Sequence, residues 1–83
     1  MERKVGNLTL EIASQDKTYT TICVTGLTVG EMNDVLTNGN TALQTVMEKN
    51  NAGDVYERWE NEYGIHSIRH VGGHLFVMIG RYC

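Results

Sequence analysis

Residues 65–82, IHSIRHVGGHLFVMIGRY, contain the pattern that decides the fold. The adjacent glycines Gly72 and Gly73 suit a tight two-residue turn, because glycine readily adopts the left-handed backbone conformations that such turns need. Apolar and polar residues alternate before this pair, and a mainly apolar run follows it, as in β-strands. We therefore predict a β-hairpin whose strands run from about Ile65 to Val71 and from His74 to Tyr82.

A two-residue turn also predicts the register of this hairpin. One side would pair Ile68 with Val77, His66 with Ile79, and His70 with Leu75. If helices cover that side, the other side is a moderately apolar patch that a monomer rarely leaves in water. We expect this patch to contact a protein, unless the N-terminal segment or a different register covers it. Its members are Ile65, Arg69, Val71, His74, Phe76 and Met78.

The first third of the chain predicts a second hairpin. Leu8, Leu10 and Ile12 alternate with polar residues, and so do Thr20, Ile22 and Val24. Alternation with a period of two is typical of half-buried strands. Pairing Leu10 with Ile22 and Leu8 with Val24 requires a loop of odd length, most simply residues 15–17.

The middle of the chain predicts three short helices. Thr28 and Glu31 have the spacing of a capping box, and Asn38-Gly39 is a typical helix stop. Asn40 or Thr41 would begin the second helix, and Asp54 would cap the third. The residues expected to face the core are Met32, Val35 and Leu36, then Leu43, Val46 and Met47, then Val55, Tyr56, Trp59 and Tyr63.

Together these elements predict a small α+β fold. With 83 residues the chain has room for one domain, residues 1–83. The element order would be ββαααββ, with a four-stranded antiparallel sheet and the short helices packed on one of its faces. The order of the strands in the sheet is left open.

The charge pattern favours a protein partner over nucleic acid. Seven Lys and Arg residues against ten Asp and Glu residues give a net charge of −3, and no basic stripe offers phosphates a site. Residues 31–62 hold seven of the acidic residues and two basic ones. One interpretation of this cluster is a solvated helical face. The other is an acidic helical surface that meets a basic partner and competes with nucleic acid for its groove. Glu57, Glu60 and Trp59 are its candidate contacts.

Cysteine content and hydropathy predict the compartment. Cys23 and Cys83 do not make a disulfide framework, and Met1-Glu2-Arg3-Lys4 leads into no apolar signal segment. The longest apolar run, Leu75–Ile79, is too short to span a membrane. We expect a cytoplasmic protein that binds no membrane, in the host cytoplasm if a phage encodes it.

The residues that could carry catalysis do not form a motif. His66, His70 and His74 are four residues apart, but the glycine turn separates His70 from His74 on a hairpin. Cys23 lies within a strand, without the helix N-terminus or glycine elbow that activates a thiol. We therefore expect no catalytic residues, metal or cofactor. A small enzyme that uses the histidines, with or without a metal, remains the less favoured alternative.

These features favour a non-enzymatic protein-binding domain. In type, a short acidic chain without catalytic motifs resembles the compact inhibitor proteins of phages and mobile elements, including anti-CRISPR proteins. That resemblance implies a protein that occludes a host partner by contact. The alternative is a homodimeric regulatory or structural module whose hairpin faces pack together.

Overall fold

The structure, a computed structural model that describes residues 2–80, confirms the predicted α+β class. Its five strands form one antiparallel sheet, in the order β1-β2-β3-β5-β4. The strands are β1 (Glu2–Val5), β2 (Leu8–Gln15), β3 (Tyr19–Thr25), β4 (Ile65–Val71) and β5 (His74–Gly80). Between β3 and β4 lie the helices α1 (Val29–Asn38), α2 (Asn40–Lys49) and α3 (Gly53–Arg58), and a π-helical turn (Trp59–Tyr63) follows α3 directly.

The prediction of four strands is wrong, because the N-terminal residues form a fifth strand. β1 pairs antiparallel with β2, so that Arg3 lies opposite Leu10 and Val5 opposite Leu8. Three of its four residues are charged, which hides the strand from a search for alternating apolar residues. Charged side chains are common on edge strands, where they discourage pairing with other chains.

The register predicted for the first hairpin is wrong by two residues. Leu10 lies opposite Val24, and Ile12 lies opposite Ile22. The backbone N–H of Asp16 donates to the carbonyl of Tyr19 at 2.9 Å, which closes a two-residue turn. Between Ile12 and Ser14 the register shifts at a β-bulge. The extra residue restores the parity that an even turn would lose, so the apolar residues still share one face.

The second hairpin confirms most of its predicted register. Ile68 lies opposite Val77 and His70 opposite Leu75, but Ile65 rather than His66 lies opposite Ile79. An irregularity between Ile65 and Ser67 causes this shift. Ile65 therefore packs against the core, and its predicted place on the outward face is wrong. The predicted strand end at Tyr82 lies outside the described residues.

Helix α1 confirms the capping box but corrects its buried stripe. The backbone N–H of Glu31 donates to the Thr28 Oγ1 at 3.1 Å, and the Thr28 N–H donates to Glu31 Oε1 at 2.9 Å. The helix ends at Asn38, followed by Gly39 at φ 71°. Val35 is 1% exposed, whereas Leu36 is 44% exposed. The prediction that Leu36 faces the core is therefore wrong.

Helices α2 and α3 provide the rest of the helical layer. Leu43, Val46 and Met47 are buried as predicted. Helix α3 begins at Gly53, and no side chain caps it, so the cap predicted at Asp54 is wrong. After α3 the backbone widens into the π-helical turn, where the Gly64 N–H donates to the Trp59 carbonyl five residues earlier at 2.6 Å.

The core lies between one face of the sheet and the helices. The same cluster holds alternate residues of the strands, such as Leu10, Val24 and Val77, and helix residues such as Met47 and Tyr56. The other strand residues point away from this cluster, since side chains alternate between the two faces of a sheet. Among residues 2–80, no helix is long and apolar enough to cross a membrane.

Candidate functional site: the open face of the sheet

The sheet face opposite the helices, called the open face below, is the first candidate site. Residues directly opposite each other in an antiparallel pair point to the same face, so the register identifies its members. Glu11, Cys23, Phe76 and Arg69 lie opposite one another in sequence across β2, β3, β5 and β4. The open face comprises Glu2, Lys4, Thr9, Glu11, Ser14, Tyr19, Thr21, Cys23, Thr25, Ser67, Arg69, Val71, His74, Phe76 and Met78.

Apolar side chains concentrate on the β5 side of the open face. Phe76 and Met78 are half-buried by their neighbours alone, since the core and helices lie on the other side. Val71, at the end of β4, is 57% exposed and lies opposite His74. Of these three side chains, Val71 is largely exposed, whereas Phe76 and Met78 present only part of their surface on this face.

Five of the six predicted patch residues meet on this face. Arg69, Val71, His74, Phe76 and Met78 share it, whereas Ile65 turns inward. The contact between the Tyr19 and His66 rings was not predicted; their centroids are 4.6 Å apart and their planes are tilted by 31°. The sequence indicates part of this contact, because the alternation of β3 places Tyr19 on the face opposite buried Thr20.

Cys23 lies near the middle of the open face, opposite Glu11 on β2 and Phe76 on β5. Partial burial, and then the Glu11 carboxylate on the neighbouring strand, raise the pKa of its thiol. A raised pKa keeps the thiol protonated at neutral pH, and the thiolate is the nucleophilic form. The protonated thiol is a small, weakly polar side chain.

The helical layer carries the second candidate site, an acidic helical surface formed by exposed carboxylates. Glu57 and Glu60 are both exposed. Glu31, counted in the acidic region, does not belong to this surface, because its two oxygens accept hydrogen bonds from Thr28 N and Asn50 Nδ2. The surface comprises Asp34, Glu48, Asp54, Glu57, Glu60 and Glu62.

The Arg58 side chain partly neutralises this surface. Arg58 Nε donates to Glu62 Oε2 at 2.9 Å, one helical turn further along the chain. That bond is the first cause of the raised pKa of Arg58. Both side chains are more than half exposed, and exposed pairs of this kind contribute little to stability. Glu57 and Glu60 are exposed and lie outside this pair.

Trp59 lies in the core rather than on the exposed side of its helix. It is 4% exposed, and its reachable edge lines a groove between the first hairpin and the α3–π segment. This half-open groove has a volume of about 540 Å³ and a largely apolar lining that includes Leu10, Ile12 and Tyr63. Ile12 is 53% exposed there.

The three histidines do not converge. His66 contacts Tyr19, whereas His70 and His74 are exposed on β4 and β5. Within residues 2–80, no group of three His, Cys, Asp or Glu side chains is placed to hold a metal ion.

No protein-family model, curated protein or solved structure matches the chain.

Proposed function

We propose that this chain is a non-enzymatic protein-binding domain that contacts its partner through the open face of the sheet. The observation that carries the proposal is the placement of Phe76, Met78 and Val71 on a face that the helices leave uncovered. Interface hot spots favour aromatic residues surrounded by a polar rim. Here Arg69 and His74 border the apolar residues.

Burial energetics support this choice of surface. Complete burial of a Val, Phe or Met side chain is worth about 1.5–3 kcal/mol relative to full exposure. Phe76 and Met78 are already half-buried, so a partner would gain only part of that amount from each. The gain still favours the open face, because most apolar residues of the inward face already build the core, although Ile12 remains 53% exposed.

The test is a capture experiment with a matched control. The tagged chain, its Phe76→Asp variant and its Thr37→Asp variant are compared in a lysate of the cells that express it. Thr37 is exposed on α1, so the control adds the same charge away from the open face. We expect the wild type and Thr37→Asp to capture the same protein and Phe76→Asp to lose it. Equal capture by all three would refute the proposal, provided that circular dichroism shows all three folded.

A second candidate function uses the acidic helical surface. In this proposal the exposed carboxylates occupy a basic groove on a partner and exclude nucleic acid from it, as an inhibitor of the phage or anti-CRISPR type would. The supporting observation is six exposed acidic side chains on one layer, with Arg58 already paired to Glu62. Complementary charge raises association rates and selects partners.

Charge neutralisation distinguishes this candidate. The double substitution Glu57→Gln and Glu60→Gln should weaken capture of a basic partner, and salt should weaken it further, because a Debye length falls to about 3 Å at 1 M. The control is Glu2→Gln with Glu11→Gln, which removes the same charge from the open face. If neither salt nor the double substitution Glu57→Gln and Glu60→Gln weakens capture of the partner, this candidate is excluded.

A further inference from the structure

The charges of the open face are separated by the strand order. Glu2 lies opposite Glu11 on the β1–β2 side, and Arg69 lies at the far edge on β4. Between them, Cys23 and Phe76 complete one row that crosses all five strands. Such a row has two carboxylates at one end, neutral side chains in the middle and a guanidinium at the other end.

The side chains around the row strengthen this separation. On the β4–β5 side, His74 and Arg69 are the ionisable residues of the open face, and His66 lies beside Tyr19. On the β1–β2 side, Lys4 accompanies the two glutamates, which leaves that side with an excess of negative charge. The two ends of the open face therefore carry opposite charge across a neutral, partly apolar centre.

We propose, building on the proposed protein-binding function, that the partner of the open face is a second copy of this chain. The two sheets pack face to face around a twofold axis that runs parallel to β3, the central strand. This axis places β1 of one copy over β4 of the other, and β2 over β5. Glu2 of one copy then lies over Arg69 of the second, and Phe76 lies over the second copy's Glu11 and Cys23 region.

Two orientations of a twofold axis would stack the open faces, and the charges favour the axis parallel to β3. A twofold axis perpendicular to the strands would place β1 over β1 and β4 over β4. Glu2 and Glu11 would then face their own copies, and so would Arg69. Opposed like charges disfavour that arrangement, whereas the parallel axis pairs opposite charges twice because the contact is symmetric. The open face is thus self-complementary in only one of the two orientations.

The size of the face predicts the strength of the contact. Five strands about 4.8 Å apart and six residues rising about 3.3 Å each give roughly 480 Å² of face in projection. Stable interfaces bury about 800 Å² per partner. The open face is smaller than that, so the contact falls in the range of weak, transient association and the dimer should dissociate on dilution.

Sedimentation velocity tests the dimer directly. The wild-type chain is measured from about 1 µM to about 1 mM, a range that covers weak association. We expect the mass to rise from monomer to dimer across this range. Arg69→Glu should keep the chain monomeric, because a carboxylate would then face Glu2 of the second copy. Both residues are exposed on edge strands, so the fold should survive, as circular dichroism checks.

A charge swap separates a specific contact from a loss of fold. The double variant Glu2→Arg with Arg69→Glu exchanges the two ends of the row and should restore the dimer. Glu57→Arg with Arg69→Glu is the matched control, since it has the same net charge but places the new arginine on the helical layer; it should stay monomeric. Equal behaviour of the two double variants would overturn the proposed axis.

Cross-linking at Cys23 tests the orientation of the copies. Cys23 lies on the central strand, so the axis brings the two Cys23 residues face to face. Stacked sheets are about 10 Å apart, further than the Cα separation of up to about 7 Å that a disulfide spans. A bismaleimide with a reach of about 10 Å should therefore join two copies of the Cys83→Ser variant. Cys83→Ser with Arg69→Glu should give no cross-linked dimer.

The outcomes distinguish this proposal from the function on which it rests. A wild-type chain that stays monomeric at about 1 mM refutes the second copy. If Phe76→Asp nevertheless loses a captured protein, the protein-binding function stands with a foreign partner. If the chain is monomeric and Phe76→Asp changes no capture, both proposals fail. A dimer that Arg69→Glu leaves intact refutes the proposed packing.

Discussion

Asn50 shows how a single residue connects three elements. It is 9% exposed, and its Nδ2 donates to the Val46 carbonyl at 2.8 Å and to Glu31 Oε2 at 3.0 Å. Its own carbonyl accepts from the Asn7 N–H at 2.9 Å. The start of α1, the end of α2 and the β1–β2 turn therefore meet at one side chain and its backbone. A buried amide is stable here because its partners replace the water it lost.

The first prediction concerns Glu31 and acid. The backbone N–H of Thr28 is the largest cause that lowers the pKa of Glu31 below its usual 4.5, and the amide of Asn50 lowers it further. A lowered folded-state pKa contributes stability above the unfolded pKa, and this contribution is lost as pH falls through the folded pKa. Glu31→Gln should cost roughly 0.5–1.5 kcal/mol at pH 7, and the difference should shrink below about pH 4.5.

Urea unfolding at pH 7 and at about pH 3 measures this difference for the wild type and Glu31→Gln. Glu57→Gln is the control, since it makes the same change at an exposed carboxylate. A deficit in Glu31→Gln that does not narrow at low pH would contradict the role assigned to the Glu31 charge.

The second prediction concerns Tyr56 and alkali. Burial, followed by the carboxylates of Glu60 and Glu48, raises the pKa of Tyr56 to about 12. The neutral hydroxyl donates to the Asn40 carbonyl at 3.1 Å. This contribution is complete below the unfolded pKa of about 10 and is lost as pH rises through about 12. Tyr56→Phe should cost about 1 kcal/mol at pH 8, with a smaller deficit near pH 12.

Denaturation of the wild type and Tyr56→Phe at pH 8 and at about pH 12 makes the comparison, because other alkaline losses are common to both chains. If Tyr56→Phe is less stable than the wild type by the same amount at both pH values, the stabilising effect of Tyr56 does not depend on the hydroxyl proton.

At the level of elements, two irregularities decide which residues reach the open face. The bulge after Ile12 compensates for a two-residue turn, so that Leu10 and Val24 remain together on the core side. The shift between Ile65 and Ser67 turns Ile65 inward and frees His66 to meet Tyr19. Each irregularity changes which residue on the neighbouring strand lies opposite a given residue, while the same two strands stay paired. The alternation of apolar and polar residues in the sequence does not predict such a shift.

The third prediction concerns the β1–β2 turn. Gly6 has φ +58°, and a Cβ built on it would overlap the backbone carbonyl of Asn50. Gly72 also has φ +58°, but nothing lies within 4 Å of its Cβ position. Gly72→Ala should cost about 1 kcal/mol, the usual conformational penalty, and Gly6→Ala about 2–4 kcal/mol because the backbone must also move.

Equilibrium unfolding of the two glycine variants isolates the cost of the close approach, since the two residues have the same φ. If Gly6→Ala and Gly72→Ala lower the free energy of unfolding equally, the close contact between Gly6 and the Asn50 backbone is refuted.

At the level of the whole molecule, a chain of 83 residues has one small core and a narrow stability margin. Domains of this size unfold with about 4–12 kcal/mol. The buried residues of the core cluster come from three of the five strands, β2, β3 and β5, and from all three helices. Loss of one large core side chain therefore removes a sizeable fraction of the stability of the whole fold.

The fourth prediction tests that margin. Leu43 on α2 is fully buried, whereas Leu36 on α1 is 44% exposed. Leu43→Ala should cost about 2–5 kcal/mol, because it leaves a cavity at the centre of the helical layer. Leu36→Ala should cost less than about 1 kcal/mol. Thermal melting of both variants compares them, and similar shifts would refute the placement of Leu36 at the margin of the core.

The candidate site could be predicted in part. The parity of the second hairpin placed Phe76, Met78 and Val71 together, because alternation and a two-residue turn act over a short distance along the chain. The sequence pattern could not place Glu2 and Glu11 on the same face. Their placement depends on β1, and its charged residues hide the alternation that would have predicted a strand. The charge separation across the open face therefore appeared only with the strand order.

By itself, the sequence determined the α+β class, the capping box at Thr28 and Glu31, the helix stop at Gly39 and the turn at Gly72-Gly73. These features depend on neighbours within a few residues, where backbone preference and local hydrogen bonds dominate. Only the tertiary structure decided the fifth strand, the inward turn of Ile65 and the central place of β3. Those outcomes depend on which distant strand pairs with which, and burial and register across the whole sheet control that choice.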